Sequence, residues 1–105
     1  MSAMESLIRR YFDMWNSGDA AAAADLLAPA WVDHGHPEVS TPADVATAVT
    51  RTRAARPGLR FDLDSVSGHV AVGRAVDGDA APTLLTWVFT AADDRLTSLR
   101  TYRAM

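Results

Sequence analysis

The groups of this 105-residue chain best suited to move protons are its three histidines, and two of them lie in the run Asp33-His34-Gly35-His36-Pro37-Glu38. Histidine titrates near neutrality, so His34 has the chemistry of a general acid/base. The alternative is a structural imidazole that bonds backbone at a strand end. If the segment is extended, Asp33 points to the opposite side, as a surface or loop-bonding residue. His34 and His36 have the H-x-H spacing that aims two imidazoles at one face of a strand, with Glu38 beside them, an arrangement a metal can use. Gly35 and Pro37 favour a loop instead, and neither a metal nor a cofactor is expected. The absence of cysteine excludes thiolate nucleophiles, thiolate metal sites and disulfides.

Aromatic residues supply the second group of candidates. Tyr11 falls on the apolar stripe of the first predicted helix. Its phenol either donates a hydrogen bond in a water-poor pocket, where such a donor stabilises an oxyanion, or belongs to a ring that fills the core. Trp15, Trp31, Trp87 and Phe89 are the other large aromatics considered. Alternation lets Leu85, Trp87 and Phe89 form an apolar wall on one side of a sheet; the same residues can equally be plain core. His69 is expected at a strand start, exposed.

Several elements must position these groups. Met4, Leu7, Ile8, Tyr11, Phe12 and Trp15 recur at helical spacing with Glu5, Arg9, Arg10 and Asp13 opposite. Ser2 and Glu5 have capping-box spacing and Asn16-Ser17-Gly18 is a stop signal. Asp19 is predicted to cap a short alanine-rich helix ending at Leu27, before Pro29. Trp31-Val32-Asp33-His34 is a brief extended stretch. Thr41-Pro42-Ala43-Asp44 opens a third helix running to about Arg56, with Pro57-Gly58 as terminator. The period then changes: Leu59, Phe61 and Leu63 alternate with Arg60, Asp62 and Asp64. Further strands are predicted from His69 to Val76, Leu84 to Thr90 and Leu96 to Arg103, with turns at Asp77-Gly78-Asp79 and Asp93-Asp94. Helices first and antiparallel strands afterwards give an α+β class, as a single domain over 1–105.

Composition narrows the partners. Hydrophobic residues make up 49% and charged residues 22% of the chain, as in globular proteins. The net charge of −3 gives no reason to expect nucleic acid or an anionic membrane. Arg51, Arg53, Arg56 and Arg60 gather where a helix C-terminus welcomes cations. The N-terminus lacks a signal-peptide pattern and no apolar run approaches membrane-spanning length, so a cytoplasmic protein is expected. All ten basic residues are Arg, a bias that suggests a GC-rich bacterial genome.

Arg10-Tyr11-Phe12-Asp13-Met14-Trp15-Asn16-Ser17-Gly18-Asp19 resembles the opening helix and helix junction of the nuclear transport factor 2-like superfamily. Val32-Asp33-His34 resembles the short strand after its second helix, Pro57-Gly58-Leu59-Arg60-Phe61 the start of its sheet, and Arg95 to Arg103 its closing strand. The likeness spans nearly the whole chain and is nearest to SnoaL-like polyketide cyclases and ketosteroid isomerases. It implies a cone: a curved antiparallel sheet packed on three N-terminal helices, of the cystatin-like type. It also implies a small apolar molecule as partner and a homodimer formed through the sheet.

By the same resemblance, Tyr11 matches the tyrosine that donates to a developing enolate oxygen in the isomerases, and His34 falls, with one gap, where they place a carboxylate base. The implied function is an enzyme acting on an apolar carbonyl or polyketide-type substrate by proton transfer, with His34 and Tyr11 catalytic and Trp15, Trp31, His36, Leu85, Trp87 and Phe89 binding. Departures from the family pattern are Leu85, where the isomerases keep a second acid, Ala104, where many relatives have Asp, and a short hairpin between Val76 and Thr83. They leave open a non-catalytic ligand-binding or dimerisation module of the same fold. An epoxide hydrolase recruiting Asp62 and Arg100 ranks below both.

Overall fold

A computed structural model describes residues 2–103 of the protein. Helix α1 (Ala3–Ser17) begins with the expected capping box, Glu5 N–H donating to Ser2 Oγ at 3.1 Å and Ser2 N–H to Glu5 Oε1 at 3.2 Å. It ends at Gly18, whose φ of 83° lets its N–H turn back to the Met14 carbonyl. One face of α1 buries Leu7, Ile8, Tyr11, Phe12 and Met14, each worth about 1.5–3 kcal/mol of transfer free energy when fully buried.

Helix α2 (Ala22–Leu26) starts two residues later than predicted, and Asp19 does not cap it. Its N-cap is Ala21, without a side-chain bond, because the Gly18, Asp19 and Ala20 carbonyls already accept from the amides of Ala20, Ala22 and Ala23. Strand β1 (Leu27–Asp33) follows directly. Helix α3 (Pro42–Ala55) has the predicted start, with Thr41 Oγ1 accepting from Asp44 N–H at 3.0 Å. At its other end Arg53 donates to the carbonyls of Pro57 and Leu59, which ties the helix to the first residue of the next strand.

Strands β2 (Leu59–Ser67), β3 (Val70–Asp77), β4 (Thr83–Ala92) and β5 (Arg95–Arg103) form an antiparallel meander. The Asp93-Asp94 turn has φ of 53° and 63°, the doubly left-handed backbone of a type I′ hairpin. The sheet order is β1-β5-β4-β3-β2. The expectation of an all-antiparallel sheet changes at one edge, where β1 pairs parallel with β5. The connection from β1 through α3 and three strands brings the chain back beside β1 running in the same direction.

The helices cover one face of this sheet. The core joins Ile8, Phe12 and Met14 of α1, Val45 and Val49 of α3, and Phe89 and Leu96 of the sheet. Glu5 accepts from the Gly68 amide at 3.1 Å, and Asn16 exchanges two bonds with the Phe61 backbone, so α1 is fastened at both ends to the β2–β3 hairpin. Among the described residues no helix is long and apolar enough to cross a membrane.

Candidate functional site

Alternation along β1 decides which groups face inward. Trp31 and Asp33 are buried while Val32 between them is exposed, the period of two of a strand with one covered face. Asp33, 8% exposed, is the sole buried charged residue among those described. Its Oδ1 accepts from the amides of Gly35 at 3.0 Å and His36 at 3.3 Å, an Asx-type turn that folds the following loop back over it. No protein donor among the described residues reaches its Oδ2.

Asp33 opens onto a cavity of about 440 Å³ between the helices and the sheet, large enough for a small organic ligand. Tyr11, Phe12 and Trp15 of α1 form one wall and Phe61, Leu85, Trp87 and Leu99 of the sheet another. Ala48 and Thr52 of α3, with Arg56 just past its end, are spaced by four residues and line a third side. His36 and Val39 close the end near Asp33.

Tyr11 is 4% exposed, its ring held by Phe89, Trp31 and Trp15 at centroid distances of 5.3, 5.6 and 6.4 Å. Burial pushes its phenol well above the ordinary tyrosine value, the negative charge of Asp33 pushes it further, and the Trp15 indole N–H works in the opposite direction. The phenol therefore stays a protonated donor at neutral pH, within electrostatic reach of the Asp33 carboxylate. A carboxylate and a neutral phenol facing one apolar hollow are the pair needed to lift a proton from carbon while donating to the oxygen that gains charge.

The residues singled out in the sequence divide into two sets. Tyr11, Trp15, His36, Leu85 and Trp87 line the cavity together. His34, Trp31 and Phe89 do not. His34 is exposed, and its backbone N–H donates to the Leu99 carbonyl at 2.9 Å; the expected hollow shared by His34 and Tyr11 is replaced by one shared by Asp33 and Tyr11. Trp31 and Phe89 are buried behind Tyr11 as packing, the Trp31 Nε1 without a hydrogen-bond partner among the described residues. His36 is largely exposed at the rim, with Glu38 3.6 Å from its Nδ1.

Asp62 and Arg100 are not brought together. Asp62 is bonded to Arg60 at 2.7 Å, opposite Arg74 in the register, whereas Arg100 is exposed opposite Val88. His69 Nδ1 lies 3.2 Å from the Phe89 carbonyl. Among the described residues no group of three or more histidines and carboxylates is arranged to hold a metal.

The sequence alone places Asp33 on the side opposite His34, as a surface or loop-bonding residue, whereas the structure turns Asp33 inward and His34 outward. The signal that finds it is Trp31: a tryptophan in a short strand marks the covered side, and its partner at i+2 is Asp33. Leu99, Thr101 and Arg103, the inward row of β5, also line the cavity. They follow from the same counting once Trp87 and Phe89 are taken as inward and the β4–β5 register is known.

The chain is similar in structure to an NTF2-like protein of unknown function from Mesorhizobium loti, with 21% identity, a TM-score of 0.78 and coverage of 98% of this chain and 92% of that one. It is likewise similar to a SnoaL-like polyketide cyclase from Agrobacterium tumefaciens, with 12% identity, a TM-score of 0.73 and coverage of 99% and 93%. A cystatin-fold protein from Novosphingobium aromaticivorans superimposes with a TM-score of 0.78 at 13% identity, covering 98% and 99%. No curated protein gives a significant match to the sequence. These likenesses establish the fold. The SnoaL-like domain profile matches residues 8–104, nearly the whole chain, and the protein therefore belongs to the SnoaL-like domain family.

Proposed function

We propose that this protein is a cofactor-independent enzyme that transfers a proton at the carbon next to a carbonyl group of a small, mostly apolar substrate, in an isomerase- or cyclase-like reaction. The observation that carries this reading is the shared cavity of Asp33 and Tyr11. Asp33 acts as the base: one oxygen is anchored by two amides and the other is left to take the proton. Tyr11, kept protonated by burial, donates to the carbonyl oxygen as it becomes an enolate. Trp15, Leu85 and Trp87 shape the apolar wall that excludes water.

The test is exchange of α-protons for deuterium in ketone probes, followed by NMR in D₂O. Exchange above the buffer rate that disappears in Asp33→Asn supports the reading; exchange that is unchanged in both Asp33→Asn and Tyr11→Phe refutes it. A specific observation keeps a second reading in view: Leu85 at the wall adds no donor, so Tyr11 has no second acid beside it. Ligand binding without exchange would point to a non-catalytic binding module.

The resemblance to the superfamily also implies a homodimer through the sheet. Val32, Val72, Leu84 and Tyr102, the four exposed large apolar residues among those described, support the uncovered face as the contact. Val72, Thr86 and Tyr102 are neighbours across β3, β4 and β5 there. Sedimentation of the wild type and of Leu84→Asp checks this: a dimer weakened by the substitution supports it, and a monomer in both rejects it.

A further inference from the structure

Two elements run the length of the cavity from the Asp33 end, and each finishes in an arginine. On β5 the inward row is Leu99, Thr101 and Arg103, with Leu99 opposite Asp33 in the register. Four residues of strand separate Leu99 from Arg103, about 13 Å of backbone. On the α3 side the stripe is Ala48 and Thr52 of the helix and Arg56 just past its last residue, about 12 Å in all. Helix α3 follows the loop that covers Asp33 and ends where Leu59 pairs with Asp77, on the side of the sheet where Arg103 pairs with Leu85. The hollow is therefore electrically polar along its axis: a carboxylate at one end, apolar walls between, and two guanidinium groups at the other.

These two arginines are not used up by the fold. Arg56 gives its Nε to Asp77 at 2.7 Å, and its terminal N–H groups have no protein partner among the described residues. Arg103 has neither an ion pair nor a hydrogen bond among the described residues. Guanidinium groups present a donor fork that matches a carboxylate.

Resting on the proton-transfer reading, we infer that the substrate is a keto acid: an apolar body that carries its carbonyl to Asp33 and Tyr11 and a carboxylate that Arg103, assisted by Arg56, receives at the far end. The same polarity fixes which end goes in first, because a carboxylate turned toward Asp33 meets like charge in an apolar hollow, whereas one turned outward meets the Arg103 cation and the remaining N–H donors of Arg56, whose charge Asp77 partly offsets. The arginines are specificity-determining residues, distant from the reacting carbon.

The experiment compares β-benzoylpropionate, a phenyl ketone bearing a carboxylate, with its uncharged methyl ester. Binding is read from quenching of tryptophan fluorescence, since Trp15 and Trp87 line the cavity. The acid should bind about 5- to 10-fold more tightly than the ester, as expected for one partly exposed charge-assisted contact. Arg103→Gln should bring the ratio close to one, and Arg56→Gln should reduce it. Asp33→Asn should keep or enlarge it.

Equal binding of acid and ester by the wild type, or a ratio that survives Arg103→Gln, overturns the inference. If deuterium exchange still depends on Asp33 in that case, the proposed function stands without it. A preference for the acid that depends on Arg103, without Asp33-dependent exchange, leaves the anion site standing and removes the proton transfer. Binding of neither probe overturns the keto-acid assignment.

Discussion

Asn16 and Phe61 are joined by two hydrogen bonds of 2.8 Å, the Asn16 amide nitrogen donating to the Phe61 carbonyl and the Phe61 amide donating to Asn16 Oδ1. The side chain does for edge strand β2 what a neighbouring strand would do, and it anchors the end of α1 beside the cavity wall that Phe61 forms.

Asn16→Ala leaves both backbone groups of Phe61 without partners. The expected loss is about 2 kcal/mol, seen as a fall in Tm of roughly 10 °C. Asn16→Asp keeps the acceptor but loses the donor, and should fall between the wild type and the alanine variant in the same thermal melts.

Asp33→Asn should lower α-proton exchange by about 10²- to 10⁴-fold, the usual worth of a positioned general base. Tyr11→Phe should lower it by about 10²- to 10³-fold. His34→Ala should remain within about twofold of the wild type, because His34 is exposed and is not one of the residues that line the cavity. NMR exchange rates on the three variants decide this, and a large loss in His34→Ala alone would reverse the assignment of base.

The raised value of Tyr11 has a pH consequence whose sign follows from linkage. The unfolded phenol loses its proton near pH 10 or so, while burial and the Asp33 charge keep the folded phenol protonated to higher pH. Above that point the unfolded chain binds fewer protons than the folded one, so stability declines as pH rises. It is fully present below the unfolded value. Denaturant titrations from neutral to strongly alkaline pH should show a steeper loss for the wild type than for Tyr11→Phe, which lacks the group.

Gly73 stands where β3 crosses the irregular pairing between Leu63 and Ser65. A Cβ there would lie 2.1 Å from the Asp62 carbonyl oxygen and 2.9 Å from Leu63 Cα. Backbone atoms cannot rotate aside as a side chain does. Gly73→Ala should therefore cost about 2 kcal/mol or more, measured as a lower denaturant midpoint, with part of the protein recovered insoluble.

Period and capping signals carried the helices and the four-strand meander because they act over a few residues. Ser2 with Glu5, and Thr41 with Pro42, satisfy their own helix ends wherever the rest of the chain goes. The placement of Asp33 was of another kind. It depends on β1 lying parallel to β5, a pairing between segments separated by most of the chain, and nothing local to Asp33-His34 selects the inward residue except the demand of Trp31 for cover. Asn16 was legible as a helix stop, but its bonds to Phe61 span 45 positions and leave no trace in either segment alone. The failed cap at Asp19 shows the converse: a favourable residue type is idle when the backbone turn before it has already filled the amides.

The pairing of β1 with β5 also sets an order of events during synthesis. Helix α1 can dock on the β2–β3 hairpin while the rest of the chain is still being made, since both of its fasteners lie within residues 2–68. Asp33 must wait for the fifth strand to leave the ribosome before Leu99 aligns beside it. A chain cut short before β5 would thus hold much of its scaffold but leave Asp33 on an untethered segment, so the end of the cavity that Asp33 and Leu99 form together would be the last part of the molecule to take shape.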